Sequence, residues 1–287
     1  MTEAVNVGGP GEIHTKLPSD LQQVRTVIKY DILKHLRSRR LLGMLVIEAL
    51  LIVLIAWLVM GEPAQPFVTT MSAFTGLAPT LIIIGATLFA GDAIVSEFQG
   101  RTGYLLFPNP VKRSSLFVGK FISSAAATAL VVLIYYAIAI GLSAGISSNL
   151  EHFDLAFASL GLAILYALAA TAVGLLISSF MKGSTGSLIL TFFLLFLILP
   201  TVDGLFALVS YPPTPSLTYA SGAIGSVMTI PYPTETVELI TPIEGMGDFV
   251  MYMHTAPLIT ATVVMVAWTA VCMVLAYFLF RRREMSA

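Results

Sequence analysis

The chain has 287 residues, 57% of them hydrophobic and 11% charged, with a formal net charge of -1. The charged share is about half that of an ordinary soluble domain, which excludes a water-soluble globule, and the length accommodates six spans of about 20 residues each. The single cysteine, Cys272, lies in an apolar run, which excludes an intramolecular disulfide and a cysteine metal cluster.

Residues 1–17 are polar and glycine-bearing and lack the basic start and early apolar stretch of a secretory signal; a disordered, uncleaved cytoplasmic tail is expected. Over residues 18–40 a helix is expected. Ser19 and Gln22 have capping-box spacing, and Leu17, Leu21, Val24, Ile28, Ile32 and Leu36 recur every three or four positions. The other face carries Arg25, Lys29, Lys34 and Arg37, the pattern of an amphipathic helix lying in the membrane interface, or else of a short cytosolic helix packed on a partner.

A transmembrane domain follows over residues 41–280, with spans expected at Leu41–Met60, Thr75–Ile94, Phe117–Leu142, Leu155–Phe180, Ser187–Leu208 and Pro257–Phe280, and a short cytoplasmic tail over 281–287. Lys and Arg number seven before span one, four between spans two and three, one between spans four and five and three at the carboxyl end, which is all 15. The alternate loops have none and carry Glu62, Glu151, Asp154, Asp203, Glu235, Glu238, Glu244 and Asp248. That split predicts both termini in the cytoplasm of a multi-pass protein of the cytoplasmic membrane.

Two loops are more than connectors. The segment from Val95 to Leu116 mixes charge, glycine and apolar residues, which suits a short helix pressed against another protein. The segment between spans five and six is long and rich in proline, yet its Leu, Ile and Val content favours ordered, re-entrant structure protected from lipid. Small residues at helical spacing in span four, Ala163, Ala167, Thr171, Gly174 and Ser178, predict tight helix packing.

Catalytic patterns are missing. There is no H-E-x-x-H, and His14, His35, His152 and His254 all lie outside the expected spans. A phosphate loop ending at Gly119 and Lys120 fails at both ends, with Ser114 in place of the first glycine and Phe121 after the lysine. The reading is therefore not an enzyme, and nucleotide work belongs elsewhere. Glu48 lies inside span one, either as a proton or substrate site or as a carboxylate paired near the inner surface; Asp92, at the foot of span two, is an interface residue or part of a transport path. Met246, Met251, Met253 and His254 could form a soft Cu(I) site, or the methionines could fill gaps. Phe192, Phe193 and Phe196 crowd span five, which leans toward an amphiphilic cargo.

The run Gly91, Asp92, Ala93, Ile94, then Glu97, Arg101, Thr102, Gly103, Leu105, Leu106, then Pro110, Lys112, Arg113, Ser114, Gly119 and Lys120 resembles the permease subunits of type 2 ATP-binding-cassette transporters. The layout of interfacial helix, six spans and long outer segment resembles that family over nearly the whole chain. The resemblance implies an all-α membrane protein that pairs with a second permease copy, in a homodimer or pseudo-dimer, and docks a cytoplasmic ATP-binding subunit. ATP and magnesium would sit in that subunit, with no cofactor in this chain, and no nucleic acid is expected as a partner. It also implies a coupling helix after span two that includes Glu97, Phe98, Arg101, Thr102 and Tyr104, and transport in the export direction. A self-powered secondary carrier and a membrane-anchored scaffold or sensor are the alternatives from other classes.

Overall fold

The computed structural model describes residues 19–99, 112–233, 236–243 and 247–283. Helix α1, Asp20–Leu36, starts with a reciprocal cap: the Gln22 amide donates to Ser19 Oγ, and the Ser19 amide donates to Gln22 Oε1 at 3.0 Å. It is followed at once by α2, Arg39–Met60, where Ser38 Oγ accepts from the Leu41 amide. Of the expected tail over 1–17, nothing falls within the described residues.

Among the described residues six helices are long and apolar enough to cross a membrane: Arg39–Met60, Phe67–Gln99, Arg113–Ile146, Asp154–Phe180, Ser184–Phe206 and Leu258–Arg282. Five of them start and end within four residues of the expected spans. Span two is longer at both ends than the expected Thr75–Ile94 and is built from α3 (Phe67–Thr75), α4 (Ala78–Ala90) and α5 (Val95–Gln99). Proline sets the joints: Pro66 precedes α3 and Pro79 sits in the first turn of α4, where a missing amide costs nothing. Phe67, Met71 and Phe74, one helical face of α3, are fully buried, so this segment is packed structure where a loop was expected.

The remaining spans are α6 (Arg113–Ile146), α7 (Asp154–Phe180) and α8 (Ser184–Phe206). In α8 the turn Leu194–Ile198 is a π-helix directly before Pro200, whose ring and absent amide would break a regular turn there. The central element is α7, with Ala163, Ala167, Thr171, Gly174 and Ser178 all buried. A Cβ on Gly174 would lie 3.1 Å from Ala90 Cβ and 3.3 Å from the Gly91 nitrogen, so glycine sets the approach of spans two and four.

Beyond α8 the long segment forms α9 (Leu217–Ser221), α10 (Ala223–Ser226) and an antiparallel hairpin, β1 (Thr236–Ile243) with β2 (Gly247–His254), in which Thr236 faces His254. The hairpin is an exception to the all-helical expectation. Leu217, Ala220, Ala223 and Ile224 are fully buried, and Ser159 on α7 donates to the Ile224 carbonyl at 2.7 Å, which holds the segment against the bundle. The last span, α11 (Leu258–Arg282), is tied to it where Trp268 Nε1 donates to the Pro215 carbonyl at 2.9 Å. Outward-facing Leu42, Val46, Leu50 and Trp57 on α2, with Phe193, Leu197 and Leu205 on α8, give the apolar exterior that acyl chains solvate.

Candidate coupling site at the basic end of the bundle

All described basic residues lie at one end of the bundle, the end shared by α1, the foot of span two, the start of α6 and the finish of α11. They do not form a plain cationic surface, because Lys34, Arg40, Lys112 and Lys120 pair with acids on other elements.

The deepest cation is Lys120 on α6, its side chain 4% exposed. It donates to Glu97 Oε1 on α5 at 2.9 Å and to Asp31 Oδ2 on α1 at 3.3 Å, so one ammonium joins span two, span three and the amino-terminal helix. Ser123, a turn further along α6, donates to the same Asp31 oxygen at 3.4 Å. Lys34 stands 3.8 Å from Glu97 on the outside of this cluster. The neighbouring Gly119 permits the arrangement: a Cβ there would sit 2.6 Å from Val27 Cγ1, so only glycine lets α1 lie this close to α6.

A second lock joins spans one and two. Arg40 forks onto Asp92 with Nη1 to Oδ1 at 2.9 Å and Nη2 to Oδ2 at 2.8 Å, and Nη1 also donates to the Leu88 carbonyl at 3.0 Å. Ser184, at the start of α8, donates to Asp92 Oδ2 at 2.8 Å, which brings span five into the same cluster. A bidentate fork fixes direction as well as distance, which a lysine here could not do. Asp92 is thus the carboxylate of an interhelical pair.

The turn after α4 is held from α7. Ser178 Oγ accepts from the Ile94 and Val95 amides at 2.9 and 3.0 Å, and Ser187 donates to the Gly91 carbonyl. Phe98 packs inward, with the Arg283 guanidinium 4.2 Å from its ring centroid and the Phe280 ring 6.3 Å away. Between the two locks lies a cavity of about 240 Å³ lined by Asp31, Lys34, His35, Arg40, Asp92 and Lys120. Burial lowers the His35 pKa from 6.5 to about 4, with Asp31 opposing and Lys34 and Lys120 adding to the fall, so the imidazole is neutral beside these cations.

Of the expected coupling residues, Glu97 and Phe98 are therefore brought together with α1, α6 and α11, while Arg101, Thr102 and Tyr104 lie outside the described residues. Lys120, Arg40 and Asp31 are the members that sequence reading did not single out as a site. Gly119 and Lys120 formed part of the quoted motif, but their partners on α1 could not be read from spacing.

The other expected residues stand elsewhere. Glu48 is 1% exposed in the middle of α2, far from both locks, and neither carboxyl oxygen has a hydrogen-bond partner among the described residues. The reading of Glu48 as one half of an ion pair near the inner surface is thereby corrected. At the opposite end, His254 Nε2 faces the carbonyls of Phe206 and Val209 at 2.9 and 3.0 Å, so its proton sits there, and Nδ1 faces Thr236 Oγ1 at 3.1 Å. Nε2 holds the hairpin to the end of α8 and Nδ1 bridges its two strands, leaving Met251 and Met253 without that imidazole as a co-ligand, and Met246 is outside the described residues. No group of three His, Cys, Asp or Glu side chains among the described residues could hold a metal ion.

The described residues thus form a six-span bundle with ion pairs at its basic end, where the foot of span two is joined to an amino-terminal helix. The chain belongs to the ABC-2 family transporter proteins, whose family model matches residues 25–285. It is 37% identical over 115 residues to a probable ABC transporter permease protein NosY of Pseudomonas aeruginosa, covering 39% of this chain and 42% of that one. It is 36% identical over 118 residues to a probable ABC transporter permease protein NosY of Stutzerimonas stutzeri, covering 40% of this chain and 43% of that one. The matched stretches thus span less than half the length of these relatives.

Proposed function

We infer that this chain is the permease subunit of an ATP-driven exporter, working with a separate ATP-binding subunit at its basic end and paired with a second permease. The observation that carries this reading is the Lys120 cluster. It links the foot of span two to α1 and α6, so a push on the segment between spans two and three is passed to three elements at once. The basic end is cytoplasmic in this reading, which is supported by the 15 basic residues flanking spans on that side alone. ATP and magnesium are held by the partner, since this chain has no phosphate loop. Closure of the ATP-binding pair supplies the differential contacts that shift the bundle between two arrangements; a partner with equal preference for both would shift nothing.

The test is affinity purification of the full chain from native membranes in mild detergent, with quantification of what accompanies it. A soluble ATP-binding protein at roughly equal stoichiometry is the expected result. Its reproducible absence, under conditions that keep other complexes intact, would overturn the reading in favour of a self-powered carrier.

A further inference from the structure

Span one buries one stripe: Leu41, Met44, Glu48, Ile52 and Ile55. Four of these are apolar and one is a carboxyl group, 1% exposed, with both oxygens unpartnered among the described residues. From Leu41 to Met60 Glu48 is the one charged side chain of the helix, so its burial is no accident of an amphipathic pattern. An ionised carboxylate left bare at this depth carries a large desolvation cost that a neutral acid avoids.

Among the described residues the groups around it offer no counter-charge. Span one packs against α3, α4 and α6, with α1 at its basic end. Neither α3 nor α4 contains a titratable residue. On α6 the titratable side chain within electrostatic reach is Tyr135, whose hydroxyl donates to the Phe74 carbonyl at 2.7 Å and so is committed elsewhere. Tyr136, next along α6, pairs with Ser159 at 2.8 Å. Arg40 is eight residues back along α2, about 12 Å at 1.5 Å per residue, and is forked onto Asp92; Asp31 and Lys34 of α1 and Lys120 of α6 belong to the same end of the bundle. A metal cation would need several oxygen ligands, and no grouping of acids surrounds Glu48 among the described residues. A proton needs only the carboxyl itself.

We propose that Glu48 is a proton-binding site built into the core of the bundle, carrying its proton in the packed arrangement and releasing it when span one separates from spans two and three. The site faces inward from α2, away from the leucine-rich outer surface of that helix, so the proton is bound within one copy. This extends the expectation that Glu48 serves transport, and it needs no partner subunit, so it stands or falls separately from the ATP-driven reading.

The experiment is infrared difference spectroscopy of the purified full chain in lipid nanodiscs, titrated in pH and compared with Glu48→Gln. The wild type should show the carbonyl stretch of a protonated carboxyl, shifted by deuterium exchange on titration, and Glu48→Gln should lose it. A wild-type-minus-variant spectrum that contains only ionised carboxylate bands at neutral pH would overturn the proposal. So would a carboxylate band that responds to sodium against choline at fixed pH, the signature of a metal-cation site. Glu48→Leu guards against a purely structural role: removal of an unpartnered polar group should raise the melting temperature, and a fall would mean that the carboxyl makes a stabilising contact and would also overturn the proposal.

Discussion

At the residue scale, burial decides which charges matter. Lys120→Met removes the ammonium that Glu97 and Asp31 share, and since all three are largely buried the expected cost is roughly 3 kcal/mol, read as a lower melting temperature in detergent. Lys112 also pairs with an acid, Asp20, at 2.8 Å, but both side chains are about 60% exposed, and Lys112→Met should cost less than about 1 kcal/mol. His35 gives a pH signature. Its folded pKa of about 4 lies below the unfolded value of 6.5, so the unfolded chain binds the extra proton and stability is lost as pH falls from 6.5 towards 4. Wild type should therefore lose more melting temperature than His35→Gln between pH 7.5 and pH 5, and equal losses would remove His35 from the account. The sequence shows Glu97 as an acid in a mixed loop, but its partner Lys120 is 23 positions away and Asp31 is 89 from Lys120, distances over which no periodicity speaks.

At the element scale, two glycines set how helices meet. Gly119→Leu should detach α1 from α6, because even a Cβ would overlap Val27; the expected outcome is loss of hydrogen-exchange protection confined to the amides of α1, with the spans unchanged. Unchanged protection in α1 would show that the close approach is not needed. The capping box at Ser19 and the apolar runs of the long helices are local signals, and they were legible. The face of α1 is not: Leu21 and Leu36 of its apolar stripe are exposed, while Gln23 and Asp31, polar residues with no hydrophobic signature, meet α6. All of α3 but Thr75 lies outside the expected span two, because a segment this short does not register as a span, although Phe67, Met71 and Phe74 share one face. In the hairpin, alternation was obscured by the prolines of the surrounding segment.

At the scale of the whole molecule, the span count and the segregation of charge follow from composition alone, because bilayer thickness fixes helix length and charges collect at the ends. The ion-pair locks depend on helix arrangement and only the folded chain reveals them. The central claim is that the Lys120 cluster passes movement at the foot of span two to α1. The most direct measurement is the distance between spin labels at Tyr30 on α1 and Lys182 between α7 and α8, both exposed, in a complex with the ATP-binding subunit proposed for it, without nucleotide and with ATP trapped. The account predicts a nucleotide-dependent change in wild type that Lys120→Met abolishes while the complex still assembles. The same change in both proteins, or none in wild type, would contradict it.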